Sequence, residues 1–240
     1  MLTTRCFCQL TFEGRDDDDL VGAMVKHLEE AHAIQVSTVT ARNAIERQRV
    51  LGPAPERVVD LETVTTRHLS PGLTDDFLEL FDDIGFTDNI GWASCYCMYH
   101  HLDSATWGER SWQQNRAEIA ERIWTGKTTG ILAYSGESVA GWVNATRLSE
   151  YLPHRHGDAR DDTTGAIVCF VVGPAYRGHG LGTLLLDAAC DLLRDAGLTG
   201  VEAYPAERSS SPASAYHGTP EMYRRAGFAH AGEGVVFRIL

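Results

Sequence analysis

The spacing of apolar residues along this chain switches between a period near two and a period near 3.6, and each switch marks an element. The sharpest switch lies in the C-terminal half. Residues 166–172 are a continuous apolar run of strand length, and Leu181, Leu184, Leu185, Ala188, Leu192 and Leu193 then recur at helical spacing until Gly197 offers a stop. Residues 200–204 read as a further strand, and 130–134 with 138–146 as paired strands. Residues 74–84 predict a helix. Ser111 with Gln114 predicts a capping box opening another, with Ile119, Ala120, Ile123 and Trp124 on one face. Nearer the N-terminus, 6–12 read as a short strand, Asp16 to Asp19 cap a helix over 20–32, and 37–49 form a second helix. Leu51-Gly52-Pro53-Ala54-Pro55 then breaks the pattern, before a strand-like run over 57–64. Residues 149–164, with His154 and His156, and the Ser-rich stretch 208–214 are polar connections.

Composition narrows the class. The chain has 240 residues, 43% hydrophobic, with no apolar run long enough to span a membrane and no internal repeat. Residues 1–10 lack the apolar core of a secretory signal, and six unevenly spaced cysteines suit reduced thiols in a cytoplasm rather than a disulfide framework. A net charge of −12 argues against a nucleic-acid partner and accommodates a cationic one. These numbers predict a main domain over 57–240, a small α/β appendage over 1–50 and a linker at 51–56. No membrane partner is expected, and a homodimer stays open.

The chemistry concentrates in Arg177-Gly178-His179-Gly180-Leu181-Gly182, between the apolar strand and the amphipathic helix. Alternating glycines let the backbone approach a phosphate closely, and the first free amides of the helix face it. A Walker A loop would need a lysine after the last glycine, and Thr183 stands where a dinucleotide fingerprint needs its third glycine. Val172-x-Pro174-x-Tyr176-Arg177-Gly178-x-Gly180-x-Gly182 instead resembles the acetyl-CoA pyrophosphate motif of the GNAT superfamily of N-acetyltransferases. Gly218-Thr219-Pro220-Glu221-Met222-Tyr223-Arg224-Arg225-Ala226-Gly227-Phe228 resembles that family's closing helix and last strand. The resemblance covers about three quarters of the chain, from Glu56 onward. It implies a GNAT acetyltransferase fold, a mixed twisted α/β sheet flanked by helices. It also implies acetyl-CoA as cosubstrate and transfer to a primary amine of a small cationic acceptor by direct attack. The first fifty residues resemble a small uncharacterised bacterial domain with paired cysteines and a His-x4-His helix.

The resemblance also assigns residues. Phe170, Val171 and Val172 would hold the pantetheine arm through their backbone, while Arg177, Gly178, His179, Gly180, Leu181, Gly182 and Thr183 would hold the pyrophosphate. Tyr223 is placed to protonate the leaving thiolate, since a phenol with a pKa near 10 can return a proton to a thiolate with one near 8.5. An alkyl amine is mostly protonated at neutral pH, so a base must take its proton. The strand 166–172 carries no carboxylate where the family often has one. Glu202 on the next strand is the nearest acid, with His154, His156 or a water chain as alternatives.

Two groupings carry zinc-type ligands. Cys6, Cys8, His27 and His32 have a Cys-x-Cys spacing tighter than a zinc finger's, and Cys95-x-Cys97-x-x-His100-His101 crowds adjacent side chains. Buried small hydrophobes are the simpler reading of Cys95 and Cys97, the spacing counts against the first group, and no metal is assigned. Trp92, Tyr96, Tyr99, Trp107, Trp112 and Trp124 fall where an acceptor wall would be built, either as core or as a cradle for a cation. A non-catalytic acyl-CoA-binding regulator and a zinc-dependent interaction module fused to an enzyme remain the alternatives.

Overall fold

A computed structural model of the chain describes residues 1–6, 8, 10–32, 34–52, 60, 62–87, 92–152, 162–205 and 216–240. Residues 53–56 of the expected linker, His154, His156 and 208–214 lie outside them, as does most of the strand-like run expected over 57–64, while Leu51 and Gly52 end and cap a helix.

Leu2–Arg5 (β1) and Thr11–Gly14 (β2) pair antiparallel, Leu2 opposite Gly14. Of the strand expected over 6–12, Thr11 and Phe12 fall in β2, while Cys6, Cys8 and Leu10 lie between the two strands, where the Cys6 amide donates to the Leu10 carbonyl at 2.9 Å. Alternation continues through a tight hairpin, which is why pattern alone merged turn and strand. A Cβ on Gly14 would stand 2.8 Å from Leu20 Cγ, so glycine lets the hairpin lie against Asp17–His32 (α1). Asp16 accepts from the Asp19 amide at 2.9 Å and three acids occupy the first turn, which stabilises that end of the helix dipole. Ser37 caps Thr38–Leu51 (α2). Leu20, Val21, Met24 and Leu28 of α1 pack with Cys6, Ala41, Ala44 and Ile45 as a small core of their own.

The rest of the chain builds one sheet. Val64–His68 (β3) precedes Thr74–Glu79 (α3), which runs on as a π turn over Leu80–Ile84. Ser104–Glu109 (α4) and Trp112–Trp124 (α5) come next, the latter opened by the expected capping box in which Ser111 and Gln114 bond each other's backbone. Trp112, Asn115, Ile119 and Ile123 form the buried stripe of α5, whereas Trp124 is 68% exposed. It lies about 100° round the helix from Ile123 and ends it. Gly130–Ser135 (β4), Ser138–Arg147 (β5), Thr164–Val172 (β6), Leu181–Asp195 (α6), Gly200–Ala203 (β7), Pro220–Arg225 (α7), Ala229–Gly232 (β8) and Val235–Ile239 (β9) complete the order. The sheet runs β3-β4-β5-β6-β7-β9-β8, antiparallel except for the parallel β6 and β7 pair.

Two irregularities interrupt the pairing of β6. Asn144 faces Cys169 and Ala145 faces Ile167, so Val168 is an extra residue, a bulge that turns the strand's faces over. On its other side β6 meets β7 only from Thr164 to Ile167, and Val168 to Val172 run past the end of β7. The sheet opens there into a wedge.

Candidate active site

The loop leaving β6 is pinned before it reaches the glycines. Gly173 donates to the Ala140 carbonyl at 3.0 Å, Tyr176 is buried, and the Arg177 guanidinium donates from Nε to the Val172 carbonyl at 2.9 Å and from Nη2 to the Gly85 carbonyl at 3.3 Å. Gly178 and Gly180 then take left-handed backbone, φ +81° and +85°, and apart from their chain neighbours no atom of a described residue lies within 4 Å of where a Cβ would stand. Helix α6 begins at once, anchored by buried Leu181; the Thr183 and Leu184 amides donate back to the Gly180 carbonyl, and those of Leu181 and Gly182 precede the first acceptor of the helix. Buried Leu181, Leu185, Leu186, Ala189, Cys190 and Leu193 hold it to the sheet. Leu184 is exposed and Ala188 and Leu192 are half-buried, a small rotation from the face the spacing suggested.

The resulting cleft of about 310 Å³ is lined by Phe170, Val171, Val172, Arg177, Gly178, Gly180, Leu181 and Gly182 on one side. Tyr216, Gly218, Thr219 and Met222 line the other. A Cβ on Gly182 would stand in ordinary contact with Met222 Sδ at 3.4 Å, which shows how close α7 lies to the start of α6. His179 and Thr183 are exposed beside the cleft, and the Thr183 amide already donates to Gly180 at 3.0 Å. The cleft thus joins most of the residues singled out in the sequence. Among them Arg177 differs in detail: its guanidinium braces the loop through two carbonyls.

Along the wedge, the Phe170 amide donates to the Tyr216 carbonyl at 2.6 Å. Because Gly173 points toward β5, residue alternation turns the backbone groups of Phe170 and Val172 toward the wedge. Tyr216 and Arg177 take two of those groups. The Phe170 carbonyl and the Val172 amide are the other two.

A second cavity, of about 460 Å³, lies on the opposite face of β6. Trp92, Tyr99 and Trp107 supply its aromatic wall, with His100, Arg110 and Cys169. Tyr96 and Trp112 are core residues instead. Ser37, Val39, Thr40 and Asn43, from α2 and its cap, form part of the lining as well. Phe86 and Tyr216 line both cavities, so the two meet at that pair.

Tyr223 is fully buried, its hydroxyl donating to the His217 carbonyl at 3.1 Å. Burial, then the neighbouring Cys190 and Cys169, push its pKa far above the usual phenol value, so it keeps its proton. Glu202 accepts from the Tyr204 hydroxyl at 2.9 Å and lines neither cavity. His217, between Tyr216 and Gly218, is the group that sequence reasoning missed. Burial pushes its pKa below the usual imidazole value, partly offset by a hydrogen bond with the backbone of Val168 at the bulge. Its Nδ1 is buried with no hydrogen-bond partner among the described residues. A neutral imidazole with an idle nitrogen can accept a proton. The clue was its place immediately before Gly218-Thr219-Pro220. Burial raises the thiols of Cys95 and, together with hydrogen bonding to Cys97, of Cys169, which makes them poor nucleophiles.

Wedge, glycine loop and helix N-terminus together define an α/β protein with a cleft suited to a phosphate-bearing cosubstrate and a second cavity that meets it. The sequence matches the Acetyltransferase (GNAT) family over residues 92–228, more than half the chain, and the protein belongs to that family. Among solved structures it is similar to an acetyltransferase of the GNAT family from Streptococcus pneumoniae, with 16% identity over 74% of this chain and 99% of that one, TM-score 0.45. A GNAT acetyltransferase from Brucella melitensis in complex with acetyl-CoA gives 14% identity, 74% and 88% coverage and a TM-score of 0.43. PaiA N-acetyltransferase from Thermoplasma acidophilum, in complex with coenzyme A, gives 14%, 74%, 99% and 0.43. No curated protein sequence matches the chain. No helix among the described residues is long and apolar enough to cross a membrane.

Proposed function

We propose that this protein transfers the acetyl group of acetyl-CoA to a primary amine of a small cationic acceptor by direct attack of the amine on the thioester. The observation that carries this reading is the meeting of the glycine-lined cleft with the aromatic cavity at Phe86 and Tyr216. The pyrophosphate lies at the first turn of α6, against the amides of His179 to Gly182, with Gly178 giving clearance and Thr183 at the rim. Arg177 holds the loop in shape and adds its positive charge. The pantetheine arm runs down the wedge beside Val171, meeting the Phe170 carbonyl and the Val172 amide as an added strand would. The thioester then lies near the junction. A cationic amine enters past Trp92, Tyr99 and Trp107, whose faces suit a positive charge.

Two proton transfers are needed. Tyr223, which its raised pKa keeps protonated while making it a weaker acid, is the proposed proton donor to the departing thiolate. Glu202 and His217 are the proposed bases for the amine, and the idle Nδ1 at the bulge favours His217. The experiment that tests the function is a panel of amines assayed for thiol release from acetyl-CoA. At least one cationic amine is expected to support saturable release. Tight CoA binding with no release by any amine would favour a non-catalytic acyl-CoA-binding regulator.

A further inference from the structure

We infer that Cys6, Cys8, His27 and His32 form a zinc site in the N-terminal unit. Their four ligand atoms, two sulfurs and two imidazole nitrogens, all lie within 4.8 Å of one another. His27 Nε2 stands 3.3 Å from Cys8 Sγ, His32 Nε2 stands 3.6 Å from Cys6 Sγ, and the two Nε2 atoms are 3.0 Å apart. A tetrahedron with Zn–S of about 2.3 Å and Zn–N of about 2.05 Å has edges of roughly 3.3 Å between nitrogens and roughly 3.5 Å from nitrogen to sulfur. These three separations agree with those edges to within a few tenths of an ångström, and the other pairs reach at most 4.8 Å, so the ligands need close up only slightly on the ion.

Hydrogen bonding accounts for each pair but not for the convergence. Two Cys–His pairs are each satisfied alone and have no need to bring their imidazoles into contact. One cation at the centre engages all four lone pairs at once. Two thiolates and two neutral imidazoles around Zn²⁺ sum to zero charge, so binding releases two thiol protons and moves no electron.

The fold explains why the tight Cys-x-Cys spacing is no obstacle. Both cysteines sit at the hairpin turn between β1 and β2, and His32 is the last residue of α1, so its ring can turn back toward His27. Phe12 packs edge-on against His27 at 5.0 Å between centroids and steadies that ring. Cys6 is buried while Cys8 is exposed, which leaves a path for the ion from solvent. Four protein ligands close the coordination sphere, so the site is structural. It ties the hairpin to α1 in a unit whose core among the described residues is eight buried side chains with four half-buried ones against it, a size at which small domains use a staple.

The test uses the full chain. Metal-free protein titrated with Co²⁺ is expected to bind one equivalent, with intense tetrahedral d–d bands and thiolate-to-cobalt charge transfer, and elemental analysis after Zn²⁺ reconstitution is expected to give one zinc. Cys8→Ser should lose about half of the charge-transfer intensity and weaken Co²⁺ binding on the order of 100-fold or more, since one of the two thiolate donors is gone. Cys190→Ala, a thiol of the main core, should change neither. Absence of stoichiometric uptake by the wild-type chain, a weak octahedral spectrum, or an unchanged Cys8→Ser spectrum would overturn the assignment. The wild-type titration decides the matter even where a variant misfolds.

Discussion

Tyr223 and His217 lie behind Tyr216 and Gly218 of the cleft wall and line neither cavity, the phenol donating to the histidine's own carbonyl. Tyr223→Phe keeps the ring against Phe170 and Phe228 and removes one hydroxyl. Turnover of an identified amine should fall about 10- to 1000-fold with CoA affinity unchanged, which steady-state kinetics beside calorimetry will measure. An unchanged rate where chemistry is limiting would make the ring structural. A parallel loss of affinity and stability would mean that the hydroxyl maintains the architecture. For His217 the sign follows from its lowered pKa: unfolded, the ring binds a proton below pH about 6.5, and folded only at lower pH. The contribution to stability is therefore intact above that pH and declines as pH falls below it. If His217 is the base, kcat/KM will fall on the acid side below the ordinary imidazole pKa, and His217→Gln will remove that limb, whereas Glu202→Gln will leave it in place. The opposite pattern would return the role to Glu202. His217 was hidden in the sequence because a lone histidine acquires meaning only from the bulge at Val168 it bonds to.

At the scale of elements, the strand, glycine loop and helix were legible because each depends on neighbours in sequence: a β run, a change of period, and glycines where φ turns positive. Gly180→Val tests that element. A left-handed backbone costs a branched residue about 1–2 kcal/mol, too little to unfold a helix anchored by six buried side chains. The new methyls would occupy the open space over the cleft. CoA affinity measured by calorimetry should drop severely in a protein of near-native circular dichroism, and unchanged affinity would refute the cradle. The second cavity, proposed to take the acceptor, was not legible in the same way, because its walls come from 37–43, 81–86, 92–115, 169 and 216, which nothing in local pattern brings together. Of six aromatic residues singled out, three reach that cavity, two are core and Trp124 faces solvent. The Cys/His group failed to read for a related reason, since a hairpin turn and a helix end had to meet.

The whole molecule raises the question of how the first fifty residues relate to the rest. We propose them as a unit distinct from 57–240, on the strength of their separate core. Its attachment is specific. Buried Arg47 of α2 donates to the Phe81 carbonyl at 2.5 Å, to the Asp82 carbonyl, and to the Tyr96 hydroxyl at 3.3 Å, and Asn43 reaches the Arg110 carbonyl at 3.3 Å. Arg47→Met should destabilise the protein by about 2–4 kcal/mol in urea unfolding, because buried carbonyls lose a charged donor. Deleting residues up to Leu51 should leave a folded chain that still binds CoA while raising KM for the acceptor, whose cavity loses the α2 wall. An insoluble or molten product would place the N-terminal unit within the main fold.

Direct transfer across the junction at Phe86 and Tyr216 requires both substrates to be bound at once. Initial rates over a grid of acetyl-CoA and amine concentrations test this most directly. Intersecting double-reciprocal lines, with no acetyl group on the enzyme by mass spectrometry, are the predicted result. Parallel lines with an acetylated Cys95, Cys97 or Cys169 would contradict it.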